Sequence, residues 1–322
     1  MSPRRMPGKK LLKMLLPIAG VLLLAVALVM GWLVYKVTRP PAQDYLVTPE
    51  TFTLLSERGL KATNEEWANR DGTRARGWLL RGAEGAPAVI LLHRYGANRS
   101  WLLNLGVKLN ETTNFTVLWP DLRGHGVNPP VAWTSFGGTE TEDITAALDY
   151  LRSLKTPQGG PLVGQSIGLY GVGMGAYVAL RAGARDANVR AIILDSVPDS
   201  PDDILNTAVL ERTGLRNGLL RWLARRGTRI YFMGGYDAAR ACDAAQSIGD
   251  RRVLLLAGGD TPPELRASTV ALAQCFPKGA ALEVKTDLAL TGYDLPFAQG
   301  EQGETYDRRV IDYFDRTLRG GP

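Results

Sequence analysis

Hydrophobic and polar positions divide the chain into one long uninterrupted apolar stretch and a body in which apolar runs alternate in period. Leu15 to Tyr35 is 21 residues without a charge. At about 1.5 Å per residue, a helix of that length spans a hydrocarbon core of about 30 Å. The body opens with two strand-like runs, Leu60–Ala68 and Thr73–Leu80, around Asn69-Arg70-Asp71-Gly72. Asp-Gly between such runs predicts a hairpin. Pro87–Leu92 and Phe115–Trp119 read as buried strands, with a helix over Arg99–Asn110 between them. Thr139–Leu154 carries Ile144, Ala147, Leu148 and Leu151 on one helical face and acids in its first turns. Further strands are expected at Ile167–Val172, Val189–Leu194, Arg252–Ala257 and Ala281–Lys285. Further helices are expected at Pro263–Cys275 and Thr305–Leu318. Strand and helix thus alternate from residue 87 onward, which predicts an α/β body with a mostly parallel sheet and helices on both faces.

Pro198–Tyr236 breaks the alternation. It is rich in Arg and Gly and contains the amphipathic piece Leu219–Arg225. We expect a helical cap over the carboxyl edge of the sheet, its apolar stripe packed on the body. The organisation expected is a basic tail over residues 1–14, a transmembrane signal anchor over 15–35, a linker over 36–44 and a domain over 45–320, with the cap at 198–236.

Charge changes the picture only when located. The formal net charge of +6 sits at the N-terminus, where residues 1–39 hold seven cations (Arg4, Arg5, Lys9, Lys10, Lys13, Lys36 and Arg39) and no acid. The remainder has 31 basic and 32 acidic residues, a balance of −1. A near-neutral body gives no reason to invoke nucleic acid. The apolar run is too long for the core of a cleaved signal peptide, about 7–15 residues, even though Ala25-Val26-Ala27 resembles a cleavage site. Five cations precede the span and two follow it. The positive-inside rule therefore places the N-terminus in the cytoplasm and the domain outside a cytoplasmic membrane. An exported domain permits a Cys242–Cys275 disulfide, with two buried free thiols as the alternative. Twenty-nine Arg against nine Lys, with abundant Ala and Gly, suggests a bacterium with a GC-rich genome. No metal-ligand spacing occurs, and no cofactor is expected.

The candidate chemistry centres on Ile167–Leu180, read as strand, tight glycine turn and helix. That layout matches the G-x-S-x-G nucleophile elbow, whose central residue projects a side chain from a strained turn. Here the frame is Gly171-Val172-Gly173-Met174-Gly175, with glycine at the centre. A literal G-x-S-x-G at Gly164-Gln165-Ser166-Ile167-Gly168 falls at the wrong end of its strand to serve as an elbow.

From about residue 45 to 320 the chain resembles the α/β-hydrolase superfamily. It is most similar to membrane-anchored bacterial hydrolases of the serine aminopeptidase-like and dienelactone-hydrolase-like kind. Four signposts in order carry the resemblance: LLHRYGAN over 91–98, PDLRGHG over 120–126, the elbow over 171–175 and LLLAGGD over 254–260. The resemblance implies an α/β-hydrolase fold, and a serine, acid and histidine in that chain order. Gly173 stands at the serine position and Asp260 at the acid position. No histidine follows His125, although one would be due near Leu290–Tyr293, where the loop offers Thr291, Tyr293 and, just beyond, Asp294. Arg94 replaces a family glycine at the oxyanion loop. With Tyr95 and the backbone N–H of Met174 it could form an anion site; alternatively it faces solvent or pairs with an acid such as Asp260. His93, Asp121 and His125 fall where the family has structural residues, with recruitment of a histidine as an unusual base as the other option. Ser135 and Ser196 are conceivable nucleophiles without a turn signature.

The reading is a membrane-anchored α/β-hydrolase-fold protein without triad catalysis, a binding or envelope-associated module for a protein or an anionic small molecule. The alternative is an active ester, thioester or peptide hydrolase that uses displaced residues.

Overall fold

The computed structural model describes residues 8–55, 60–237, 239–298 and 300–320. Arg4 and Arg5 of the basic tail lie outside the described residues. The chain begins with helix α1 (Gly8–Thr38) and a short α2 (Pro49–Leu55). The hairpin β1 (Thr63–Ala68) and β2 (Arg74–Leu80) follows, then β3 (Ala86–Leu92), α3 (Leu103–Thr113) and β4 (Thr116–Pro120). Helix α4 (Gly138–Ser153), β5 (Val163–Val172), α5 (Met174–Arg185) and β6 (Val189–Asp195) form the centre. The remainder is α6 (Pro201–Thr213), α7 (Gly218–Phe232), α8 (Ala241–Gln246), β7 (Arg252–Gly258), α9 (Pro263–Leu272), β8 (Leu282–Leu288) and α10 (Glu301–Arg319).

The eight strands form one sheet in the order β1-β2-β4-β3-β5-β6-β7-β8. The β1–β2 and β2–β4 pairs are antiparallel and every other pair is parallel. Strands β3 to β7 carry near-continuous apolar runs because both faces of a parallel sheet are covered. One face packs Ile90, Leu92, Leu169 and Ile192 against α4 and α5. The other packs Val89, Leu91, Tyr170 and Ile193 against α3 and α10.

Several boundaries differ from the sequence reading. β5 starts at Val163, so Ser166 lies within the strand and not before it. It remains in the amino-terminal half of the strand, away from the turn at Gly173. Helix α2 was not expected; it is short and lacks a sustained apolar period. Helix α1 continues past Tyr35, and its last turn belongs to the body. Leu33 and Val37 are fully buried in the core, and the Val37 and Thr38 carbonyls accept bonds from the Tyr95 hydroxyl (2.8 Å) and the Thr134 N–H (2.8 Å). The stretch after it is fastened too: Asn98 Nδ2 donates to the carbonyls of Gln43 and Asp44, both at 3.2 Å. The expected linker is thus laid along the domain.

Cys242 on α8 and Cys275 just after α9 are joined, with Cα atoms 5.2 Å apart across 33 residues of chain. Of the two options the sequence left open, the structure takes the disulfide. Closing a loop of that length restricts the unfolded chain by about 3–4 kcal/mol in the chain-entropy treatment. Reduction, or Cys242→Ser, is expected to lower unfolding free energy by about 2–4 kcal/mol. Denaturant melts with and without dithiothreitol check this, and coincident curves would exclude a stabilising bond.

Candidate functional site at the carboxyl edge of the sheet

The turn between β5 and α5 is fixed by close backbone packing. A Cβ at Gly171 would collide with the Gly175 carbonyl, and one at Gly175 would collide with the Leu92 carbonyl. The two outer glycines are thus demanded by the way the strand, the turn and β3 approach one another, whatever the turn is used for. Gly173 caps α5 with φ 55° and ψ −118°, a left-handed geometry that glycine adopts without strain. Its N–H donates to the Asp195 carbonyl at 2.9 Å, tying the turn to β6. The elbow backbone is intact, and nothing projects from its centre.

The space where a side chain would project is occupied from the facing loop. A Cβ built on Gly173 would stand 3.1 Å from Arg94 Cβ. The Arg94 guanidinium runs on between the rings of Trp101 and Tyr293, 4.6 Å from each centroid. Its Nη1 donates to the Tyr95 carbonyl at 3.0 Å and its Nε to the Tyr293 carbonyl at 3.3 Å. An arginine sandwiched between aromatic faces and bonded to carbonyls is held as a plug. The cavity left between Arg94, Gly173, Met174, Ile204, Glu211 and Tyr293 measures about 20 Å³. That is room for about one water.

At the acid position, Asp260 follows β7. Its Oδ2 accepts from the Thr291 N–H at 2.8 Å and the Thr291 hydroxyl at 3.0 Å. Its Oδ1 is buried with no partner among the described residues. Thr291 is fully buried in the loop after β8. It therefore takes up the acid in the loop where the resemblance called for a histidine. Tyr293 closes over Arg94 instead, and Asp294 precedes the short turn Leu295–Phe297.

A second carboxylate, Asp195 at the end of β6, carries no motif that marks it in the sequence. Asp195 is fully buried. Its Oδ1 accepts from the Ser196 hydroxyl at 2.6 Å. Its Oδ2 accepts from the Gly292 N–H at 2.7 Å and from the Tyr306 hydroxyl, which also meets the Tyr170 hydroxyl at 2.8 Å. Ser196 adopts φ 56° and contacts the Thr261 hydroxyl at 3.0 Å. Thr261 reaches Thr291 at 3.4 Å, so hydroxyls link the two carboxylates. Burial pushes Asp195 up to about 6 despite these donors. Ser196 is committed to this network and covered by it. Ser135 is likewise covered, donating to Glu140 at 2.6 Å.

Both histidines are wrapped by backbone. His93 Nε2 accepts from the Leu122 N–H at 3.1 Å, and Nδ1 lies 2.8 Å from the Arg94 carbonyl. His125 Nε2 accepts from the Gly96 N–H at 3.1 Å, and Nδ1 lies 2.7 Å from the Arg123 carbonyl. Each ring is thereby set as the neutral tautomer protonated at Nδ1. Burial lowers His93 to about 4 and His125 to about 3. Asp121 ties the neighbouring loop, accepting from the Arg99 N–H at 3.1 Å and the Tyr45 hydroxyl at 2.7 Å. Tyr95 turns its hydroxyl to the Val37 carbonyl of α1, away from the elbow.

Comparison with known proteins agrees with this layout. A family model described as "Alpha/beta hydrolase family" matches residues 89–312. Among curated proteins, none matches this chain in sequence. The structure is similar to an esterase of Pyrococcus furiosus, at 20% identity and TM-score 0.60, covering 87% of this chain and 99% of that one. It is similar to the alpha/beta hydrolase GrgF from Penicillium sp. sh18, at 19% identity and TM-score 0.58, covering 81% and 100%. An acylaminoacyl peptidase of Pyrococcus horikoshii gives 12% identity and TM-score 0.58 over 81% of this chain and 42% of that one. At these identities the likeness establishes the fold.

The wrapped histidines generate a pH prediction. Their folded values lie below the ordinary 6.5, so as pH falls below about 6.5 the unfolded chain takes up protons that the fold refuses. Their contribution is therefore present above that pH and is lost on the way down to about 4 and 3. Asp195 acts oppositely, binding its proton in the fold first. His125→Gln removes one histidine from this balance and leaves Asp195 in place. The variant should lose less melting temperature than wild type between pH 7 and pH 5, and parallel losses would refute the assignment.

Proposed function

The chain belongs to the alpha/beta hydrolase family, and from that premise we propose that it is a member without triad catalysis, serving as a membrane-anchored binding or scaffolding module. One observation carries the reading: the acid Asp260 is engaged by Thr291, in the loop where a base would be due, while the elbow centre is Gly173. A serine hydroxyl needs a base within hydrogen-bond reach, and an acid of the triad acts only through the imidazole it orients. Both histidines have their ring nitrogens committed to backbone. The Arg94 plug and the cavity of about 20 Å³ support the same conclusion, since an ester and its attacking atom need far more room. They also turn the search for a partner toward the outer surface. The donors of Arg94 that face Tyr95 and Tyr293 are spent on carbonyls, so an anion at the elbow would require the arginine to swing out.

The apolar helix α1 supports placement at a membrane. The orientation proposed from the flanking cations is N-terminus inside, domain outside, in a cytoplasmic membrane. A disulfide at Cys242–Cys275 suits an oxidising compartment on that outer side.

Gly173→Ser restores an oxygen to the elbow and leaves it without a base. Hydrolysis of a small ester by this variant is expected to match wild type. Adding Thr291→His, which places an imidazole against Asp260, together with Arg94→Gly, which clears the space in front of the elbow, is expected to exceed the single variant. A gain of more than about tenfold from Gly173→Ser alone, equal to about 1.4 kcal/mol of barrier, would reveal a working base and overturn the proposal.

A further inference from the structure

Helix α7 offers a surface that the fold itself leaves uncovered. Only Leu223, Ala224, Gly227 and Thr228 are buried, so the body accounts for one side of the helix and not for the stripe opposite. Along that stripe Leu219 is 64%, Trp222 49%, Ile230 64% and Met233 91% exposed. The spacing places them on one helical face, with Arg226 between. From 212 to 236 the chain carries six arginines (Arg212, Arg216, Arg221, Arg225, Arg226 and Arg229) and no acid. Arg225 and Arg229 share the carboxylate of Asp202, at 3.9 and 2.8 Å.

The position of this face follows from α1. Gly227 packs directly on the long helix: a Cβ there would stand 2.6 Å from Met30 Cγ and 2.7 Å from Val34 Cγ2. The apolar side chains of α1 are exposed from Leu15 to Val29, and beyond that the helix is covered on one side only, with Trp32 and Tyr35 still exposed. Fifteen residues rise about 22 Å, short of a hydrocarbon core of about 30 Å. The bilayer must therefore reach about Val34, the level at which α7 crosses. An apolar groove of about 390 Å³ between the two helices makes the continuity explicit, since Ala27, Met30 and Val34 line it together with Ile230 and Tyr231. Arg39, over the ring of Tyr35 at 4.5 Å, stands at its outer end.

We propose that α7 lies in the surface of the bilayer that α1 crosses, with Leu219, Trp222, Ile230 and Met233 at the acyl boundary and Arg221 and Arg226, which pair with no acid among the described residues, on the phosphates of anionic phospholipid. An apolar face beside a run of cations without acids is the composition of an interfacial helix. The inference rests on the reading of α1 as a membrane span. It adds a second contact that fixes how the domain sits on the membrane.

The test uses the full chain in vesicles of phosphatidylcholine and phosphatidylglycerol. The native cysteines are paired, so single cysteines introduced as Trp222→Cys, Ile230→Cys, Leu23→Cys and Asp250→Cys accept a nitroxide selectively. Relative accessibility to oxygen and to a water-soluble nickel chelate reports depth. Labels at 222 and 230 are expected about 5–10 Å below the headgroup boundary, the label at 23 deep, and the label at 250 in water. Replacing phosphatidylglycerol by phosphatidylcholine should raise the labels at 222 and 230 toward water. If 23 is deep while 222 and 230 are as wet as 250, the proposal fails and the span stands. If 23 is also wet, the span reading fails and the proposal with it. Labels at 222 and 230 shielded from both reagents would show a protein partner, such as a second copy, and would equally overturn it.

Discussion

The structure turns on two carboxylates at the carboxyl edge of a parallel sheet, Asp195 buried and Asp260 half-buried, with no imidazole to share them. A buried carboxylate is costly unless donors surround it. Here the donors come from hydroxyls and backbone: Ser196, Tyr306 and Gly292 for Asp195, and Thr291 for Asp260. The loop after β8 contributes to both sets through adjacent residues, so Thr291 and Gly292 bind the two strand ends together. A Cβ at Gly292 would collide with the Tyr170 hydroxyl, so the loop can approach that closely only as glycine. The geometry that a hydrolase would spend on orienting a base is spent on closing the edge.

The same closure explains Arg94. Its alkyl stem fills the place in front of Gly173, and its guanidinium is held by Trp101 and Tyr293. Tyr95, next in the chain, reaches back to the Val37 carbonyl of α1, and Arg212 of α6 donates to the Lys36 carbonyl at 3.1 Å. The end of the long apolar helix is therefore built into the loop and helix that cover the elbow. The apolar helix and the covered site form one packed unit.

The sheet was legible because parallel strands buried on both faces read as continuous apolar runs, and because the turn glycines Gly171 and Gly175 answer to backbone contacts that tolerate nothing larger. The hairpin announced itself through Asp71-Gly72. The absences at Gly173 and after His125 were equally visible, since a missing residue type needs no geometry. What the sequence did not reveal depends on long-range packing. Nothing local distinguishes Thr291 as the partner of Asp260, or Trp101 as half of the clamp on Arg94. Asp195 reads as an ordinary strand end until Tyr306, more than a hundred residues on, is placed against it. Helix α7 was legible on one side only: Leu223 and Ala224 of its apolar piece pack on the body as expected, and only the fold shows that Leu219 and Trp222 do not.

The central claim is that no side chain in this fold is an activated nucleophile. Labelling of the full-length wild-type chain with a fluorophosphonate tests it directly, because the reagent bonds to serines whose hydroxyl is activated by a neighbouring base. The account predicts no labelling beyond that of heat-denatured protein. Stoichiometric labelling of the native chain, mapped to Ser196, Ser135 or any other serine, would contradict it.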